Sequence, residues 1–397
     1  MNYEEISPST VLHWNYRGLT EFPIHQLHGE ESEITDLYLK ENLISKLPND
    51  IGMLTHLESL YISGNDITEL PKDISKLKCL KCLDVSGNRL KRIPNEIGEV
   101  RNLKFLILDE NELTELPLRL AELRFLRYLS VCDNKLKWLP QRPVYNYHHC
   151  ELRFWRNPQL RSLPYSLWYH MFRNQQTRSL NIALFYYLIL FPDKNKDCLN
   201  RSRRSCRLKL NHDSKEWEFD IDCPPQYTNI LEHNSNNPPG LYELSKRTVY
   251  QKISTIAQRH SSESYSIFSD VRRYNTENNN VNHLQNDFND FNIKNNSDNN
   301  SKKVKHFFAP RDVIEDCFEC LPTFLKEDLV NGPVSRCENA ECKIPVFDYV
   351  HYEFTMGKLL LIDSVQEVIL SAAFCSKTCC DSWKVGVTTI PWSFVEE

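Results

Sequence analysis

The sequence predicts an α/β solenoid in its first half, and three observations predict it. Asn42, Asn65, Asn88, Asn111, Asn134 and Asn157 recur at an unbroken spacing of 23 residues. Each follows a strand signal of alternate apolar residues: Leu37/Leu39, Leu60/Ile62, Leu83/Val85, Leu106/Leu108, Leu129/Val131 and Leu152/Phe154. Each is followed by an apolar–proline pair: Leu47-Pro48, Leu70-Pro71, Ile93-Pro94, Leu116-Pro117, Leu139-Pro140 and Leu163-Pro164. A fixed period of this length is the mark of stacked repeats. Those at 34–56, 57–79, 80–102 and 103–125 are regular, and those at 126–148 and 149–171 drift in their second halves. Residues 11–33 form a divergent opening copy with Leu12, Trp14, Leu19, Phe22 and Pro23.

Each element has a physical reason. The alternate apolar residues of each strand point inward and stack with the next repeat into one continuous core, leaving parallel strands on a concave face. The Asn amide both donates and accepts, so it can bond the buried backbone of adjacent turns as a ladder. The Pro opens the convex segment, where a fixed φ helps and no strand donor is lost. This 23-residue Leu-Pro form resembles the intracellular Ras-group and scaffold leucine-rich-repeat families. The resemblance implies a leucine-rich-repeat solenoid over residues 11–171.

Scaffold positions are poor candidates for function, so the concave strand residues carry the expectation of binding. Tyr38, Tyr61, Phe105, Ile107, Tyr128 and Trp155 make an apolar-aromatic strip, with Asp84, Asp109, Asp133 and Arg153 beside it. Aromatic side chains on a rigid face are what interface hot spots are made of. A protein partner is therefore expected on this face.

Beyond Pro164 the period is lost. Residues 165–192 read as helices covering the open end of the solenoid. The stretch 194–209, with Lys194, Lys196, Arg201, Arg203, Arg204, Arg207 and Lys209, reads as a solvated basic loop rather than a nucleic-acid patch. Residues 275–300 hold twelve Asn among 26 positions and few apolar side chains, so 257–306 is expected to be a disordered insert.

Just before that insert, Leu241, Leu244, Ser245, Thr248, Val249 and Ile253 fall on one helical face after Pro239-Gly240. The pattern Leu241-x3-Ser245-x3-Val249 resembles the elongin-binding helix of the suppressor-of-cytokine-signalling box, with Ser245 where that family has Cys. After the insert, Leu321-Pro322-x2-Leu325-x3-Leu329 resembles the cullin-selecting segment of the same boxes. A competing elongin-type helix is Val313-x3-Cys317-x3-Leu321.

Fourteen cysteines and an N-terminus with neither a basic nor an apolar region point to a reducing compartment. There, clustered thiols bind metal more often than they pair. Cys337-x4-Cys342 and Cys375-x3-Cys379 are separated by 32 residues of strand-like sequence. Two thiolate pairs on short turns are the usual cage for structural Zn2+. Cys380 can replace Cys379, His351 is a lesser candidate, and Cys317-x2-Cys320 reads as helix packing.

The whole layout resembles the intracellular leucine-rich-repeat proteins of the 58/28 type. Those of the 58 type are implied to act as substrate receptors of elongin–cullin ubiquitin ligases. The expected domains are a divergent repeat and cap (1–33), the solenoid (34–171), and a helical cap with a basic loop (172–235). They continue with an elongin-binding-like helix (236–256), the insert (257–306), a cullin-selecting-like segment (307–330) and a zinc-ribbon-like four-cysteine module (331–397).

Bulk composition is consistent with this. Net charge is −5 and only ten Gly are present, with no phosphate-cradling loop or nucleophile motif, so no enzyme is expected. The most apolar run, 182–191, is half the roughly 20 residues that span a bilayer. The chain is expected to be a cytoplasmic adaptor, with the nucleus as the alternative location. Its partners would be a protein substrate, elongin B/C and a cullin. A signalling scaffold for a small GTPase or phosphatase is the other reading.

Overall fold

A computed structural model describes residues 10–27, 29, 33–140, 150–169, 204–212, 215–231, 237–266, 310–318, 321–360 and 365–396. Seven short strands form one parallel sheet in sequence order: β1 (Thr10–His13), β2 (Ile34–Tyr38), β3 (Ser59–Tyr61), β4 (Cys82–Asp84), β5 (Phe105–Ile107), β6 (Tyr128–Ser130) and β7 (Glu151–Arg153). The register matches residues 23 apart, Leu37 with Leu60 and Leu83 with Leu106. The repeat in sequence is thus a repeat in space. On the convex side, 3-10 turns over Asn49–Met53, Lys72–Lys76, Asn95–Glu99 and Leu118–Glu122 each begin after the expected proline.

The asparagine ladder forms as the chemistry requires. Each amide oxygen accepts from the preceding repeat: Ile44 N to Asn65, Ile67 N to Asn88, Leu90 N to Asn111, Leu113 N to Asn134 and Leu136 N to Asn157, all at 3.0–3.1 Å. The amide nitrogens donate to carbonyls on both sides, as Asn111 does to Val85 O and Leu108 O. The residue before each ladder Asn takes φ between 53° and 66°. In two repeats that residue is glycine, Gly64 and Gly87, for which this conformation is unstrained.

The end of the solenoid differs from expectation. Leu163-Pro164 does not open a convex turn; it is a short strand, β8 (Leu163–Pro164), followed by one helical turn, α1 (Tyr165–Leu167). The rest of the expected helical cap lies outside the described residues. Nor is the basic stretch a loop where it is described. Strand β9 (Arg204–His212) pairs antiparallel with β10 (Lys215–Asp222), and β11 (Asn229–Leu231) follows. The physical reason is period-two alternation: Cys206 and Leu208 turn inward while Arg207 pairs outward with Asp220 at 2.8 Å. Lys194, Lys196, Arg201 and Arg203 lie outside the described residues.

Helix α2 (Leu241–Ser266) runs ten residues past the expected boundary at 256. The Asn-rich tract lies outside the described residues. Helices α3 (Pro310–Cys317) and α4 (Thr323–Asn331) pack with α2 around Tyr250, Ile253, Ala257, Val313, Ile314, Leu329 and Phe347. This layer is fastened to the convex side of the solenoid. Arg101 pairs with Asp312, Arg311 pairs with Glu99, and Asn95 Nδ2 donates to Asn331 Oδ1 at 3.2 Å.

The C-terminal region is not a small separate ribbon. After β12 (Ser335–Arg336) and β13 (Pro345–Val346), a long hairpin of β14 (Tyr349–Leu360) and β15 (Val365–Phe374) forms a four-stranded sheet in the order β11-β14-β15-β8. Helix α5 (Lys377–Lys384) and β16 (Trp392–Glu396) follow, β16 joining β9 and β10 in a three-stranded sheet. Side chains alternate along the hairpin. Leu359, Val368 and Leu370 enter the solenoid core, whereas Val350, Tyr352, Phe354 and Ile369 join Cys206, Leu208, Phe219 and Ile221 in a second core. The hairpin thus closes the open end of the repeats. No helix of the described residues is long and apolar enough to cross a membrane.

Candidate partner-binding surfaces and metal centre

On the concave sheet, neighbouring strands bring column residues to stacking distance. The rings of His13 and Tyr38 lie 4.6 Å apart and those of Tyr38 and Tyr61 4.7 Å apart, near parallel. Lys40 Nζ sits 5.0 Å from the Tyr61 ring centre and pairs with Asp84 at 3.2 Å. Arg153 lies over Tyr128 at 5.2 Å. Phe105 is 42% exposed, and Ile107, Tyr128 and Trp155 are half-buried.

Two acids expected on this face are turned to internal work. Asp84 is buried and accepts from Ser86 Oγ at 2.7 Å and from Lys40. Asp109 accepts from Ser130 Oγ at 2.6 Å and Cys132 N at 2.7 Å, and burial raises its carboxyl above the ordinary range. They brace the sheet, and the aromatic residues remain as the accessible strip. Asp133, beside that strip, pairs with Arg156.

A second surface lies on α2 and α4. Leu241 is 82% exposed and Leu244 43%; Ser245 is half-buried and donates to Leu241 O at 2.8 Å. Val249 turns partly into the helical core, and Ile253 is wholly inside it. In the cullin-selecting-like segment, Pro322 is exposed, Leu321 and Leu325 pack partly on that core, and Leu329 is fully buried. Sequence reasoning missed two members. Phe324, 60% exposed, lies 5.8 Å from the ring of Tyr242. Tyr242 in turn donates to Asp328 at 3.0 Å. The fold thus brings the two segments together through Tyr242, which meets both Phe324 and Asp328. The competing pattern at Val313 is excluded by packing, since Val313 is buried and α3 ends before Leu321.

The four expected cysteines converge. Their sulfurs all lie within 4.8 Å of one another, with Cys342 to Cys375 at 3.4 Å and Cys375 to Cys379 at 3.7 Å. Tetrahedral thiolates about 2.3 Å from zinc stand roughly 3.8 Å apart, so the set is compatible with a metal site. Short turns aim the donors. Cys337 follows β12, and Cys342 N donates to Asn339 O at 3.1 Å. Cys375 follows β15, and Ser376 caps α5 by accepting from Cys379 N at 3.3 Å.

Charge on the set is uneven. Hydrogen bonds from Cys337, Cys342 and Cys379 lower the Cys375 thiol. The contact with Cys375 raises Cys337, and burial raises Cys342. Full ionisation of such a group calls for a dication. Cys380 and His351 stand outside it. Cys380 Sγ lies 3.6 Å from Glu353 and burial pushes it up to about 12, while His351 is buried edge-on to Tyr349. Cys317 and Cys320 lie outside the residues whose side chains are described.

Repeat and ladder together define a leucine-rich-repeat solenoid. Residues 33–103 match the family described as Leucine-rich repeat region. A comparison with curated proteins returned no match. Among solved structures the chain is similar to a leucine-rich-repeat protein of Leptospira interrogans. The two are 34% identical over 37% of this chain, with a TM-score of 0.32, and the chain spans 37% of that protein's length. It is also similar to the ectodomain of the receptor kinase SOBIR1 from Arabidopsis thaliana, at 29% identity over 31% of this chain and 70% of that one, TM-score 0.29. A third similarity is to the BIR3–SERK2 complex of the same plant, at 25% identity over 35% and 74% of the chains, TM-score 0.27.

Proposed function

We propose that the chain is a non-enzymatic protein-interaction adaptor. It holds a protein substrate on the concave strip and an elongin–cullin ubiquitin ligase on the α2/α4 patch. The observation that carries this reading is the exposure of Leu241 and Leu244 on α2 and of Phe324 on α4, apolar side chains left in water on helices whose other faces are packed. The occupant is the elongin C surface, which the Leu241-x3-Ser245 spacing resembles in its ligand. Zn2+ on Cys337, Cys342, Cys375 and Cys379 acts structurally. A closed set of four thiolates leaves no open coordination position for catalysis. The chain's contribution is placement, raising the local concentration of substrate lysines near the ubiquitin donor. Affinity capture of the tagged full chain should recover elongin B, elongin C and a cullin. Leu241→Glu with Leu244→Glu should abolish that recovery, and an intact chain that recovers none of the three would refute the reading.

A further inference from the structure

One ion pair on α2 reaches both halves of the cysteine cluster. Arg247 is buried and donates from Nη1 to Cys375 O at 2.9 Å and from Nη2 to Tyr349 O at 2.8 Å. Its Nε donates to Glu243 Oε1 at 2.6 Å. Glu243 in turn accepts from Phe347 N at 3.1 Å and Asp348 N at 3.2 Å. Phe347 and Asp348 directly follow β13, which leads out of the Cys337–Cys342 turn, and Cys375 is itself one of the four sulfur donors. Lys246, also buried, adds Asp348 at 2.9 Å and Asp328 on α4 at 3.1 Å.

The partners of these charges are mainly backbone groups, and the turns and strand ends that the cysteines hold fix their positions. If the two turns separate, a guanidinium and a carboxylate remain buried without their acceptor and donor sets. The two charges still pair with each other, but a buried ion pair offsets its desolvation only when further hydrogen bonds satisfy its remaining donors and acceptors. The helix then leaves its seat, and Leu241 and Leu244 lose the fixed position that Tyr242 and Lys246 give α2 through Asp328 of α4.

We infer that the four-cysteine centre gates the partner-facing surface: metal on the cluster seats α2 through the Glu243–Arg247 pair, and loss of the metal releases it. This rests on the metal reading above, but not on the identity of the ligase. Linkage makes the effect reciprocal, so the factor by which zinc favours the seated helix equals the factor by which seating tightens zinc.

The test uses the full chain, purified with zinc and then stripped by a chelator, with backbone hydrogen exchange followed in both states. Amides of 241–258 should exchange at least about tenfold faster after stripping, while those of 57–131 hold their rates. Arg247→Met should keep its full complement of zinc but bind it more weakly by a similar factor, read by competition with a chelator of known affinity. Zinc present, with α2 exchange unchanged on stripping, overturns the gate and leaves the metal reading intact. Equal acceleration in the solenoid means global loss and also overturns it, as does an unchanged zinc affinity in Arg247→Met. A chain that takes up no zinc overturns both readings.

Discussion

Leu370→Ala probes the closure of the solenoid by a hairpin about 200 residues away in sequence. Leu370 is fully buried, lies in the repeat core, and sits on β15 opposite Leu163 of β8. A Cβ at Gly357 would approach its Cδ1 to 2.5 Å, so Leu370 fills the space over that glycine. Truncation therefore leaves a void that glycine has no side chain to fill. Removing three carbons forfeits roughly 2.4 kcal/mol at about 0.8 per methylene, and the residual cavity brings the cost to about 3 kcal/mol. Each 1.4 kcal/mol is about tenfold in an equilibrium, so opening of the last repeats should rise roughly 150-fold. Hydrogen exchange resolved along the chain is the assay. Amides of β7 should accelerate most and those of β2 and β3 least. A change at β7 below about threefold, or equal acceleration at β2, would refute the capping role.

Other expectations follow from the same geometry. Asn111→Ala leaves Leu90 N, Val85 O and Leu108 O without their buried partner, which should cost about 3 kcal/mol in denaturant titration; a loss under about 1 would contradict the ladder. Burial raises the Asp109 carboxyl, so the folded chain keeps this proton to higher pH than the unfolded chain. The stability it contributes is full below the unfolded value near 3.8 and falls as pH rises through the folded value. Asp109→Asn should remove that part of the slope, measured as unfolding midpoints from about pH 4 to about pH 6; an unaltered slope assigns it to other groups. Tyr61→Ala with Phe105→Ala should weaken capture of the concave-face partner at least about tenfold with unchanged circular dichroism. Unchanged capture would move the binding surface elsewhere.

What was legible in the sequence follows from the range of the forces. The solenoid is written locally, because every repeat restates the same strand, Asn and Pro, and the ladder bonds residues a fixed distance apart. The Cys337/Cys342/Cys375/Cys379 group was legible for the same reason, since each pair is a short turn. Cys379 and Cys380 could not be separated by spacing. The helix start at Ser376 does that, turning Cys379 toward Cys375 and Cys380 roughly 100° away toward Glu353. The hairpin as cap was hidden because nothing near Leu359, Val368 or Leu370 in sequence names their partner. The strand at 204–212 was misread although Cys206, Leu208 and Leu210 alternate with Arg207 and Lys209; the count of basic residues masked a period of two. Phe324 and Tyr242 escaped because a leucine pattern does not register an aromatic pair formed between two helices.

The central claim, that α2 and α4 present a surface to a ligase adaptor, is tested most directly by binding between the purified full chain and purified elongin B–C. Calorimetric titration should give an equimolar complex with a dissociation constant of about 1 μM or tighter, lost in Leu241→Glu with Leu244→Glu while the variant retains its fold. An absence of heat with the intact chain, or equal affinity in the variant, would contradict it.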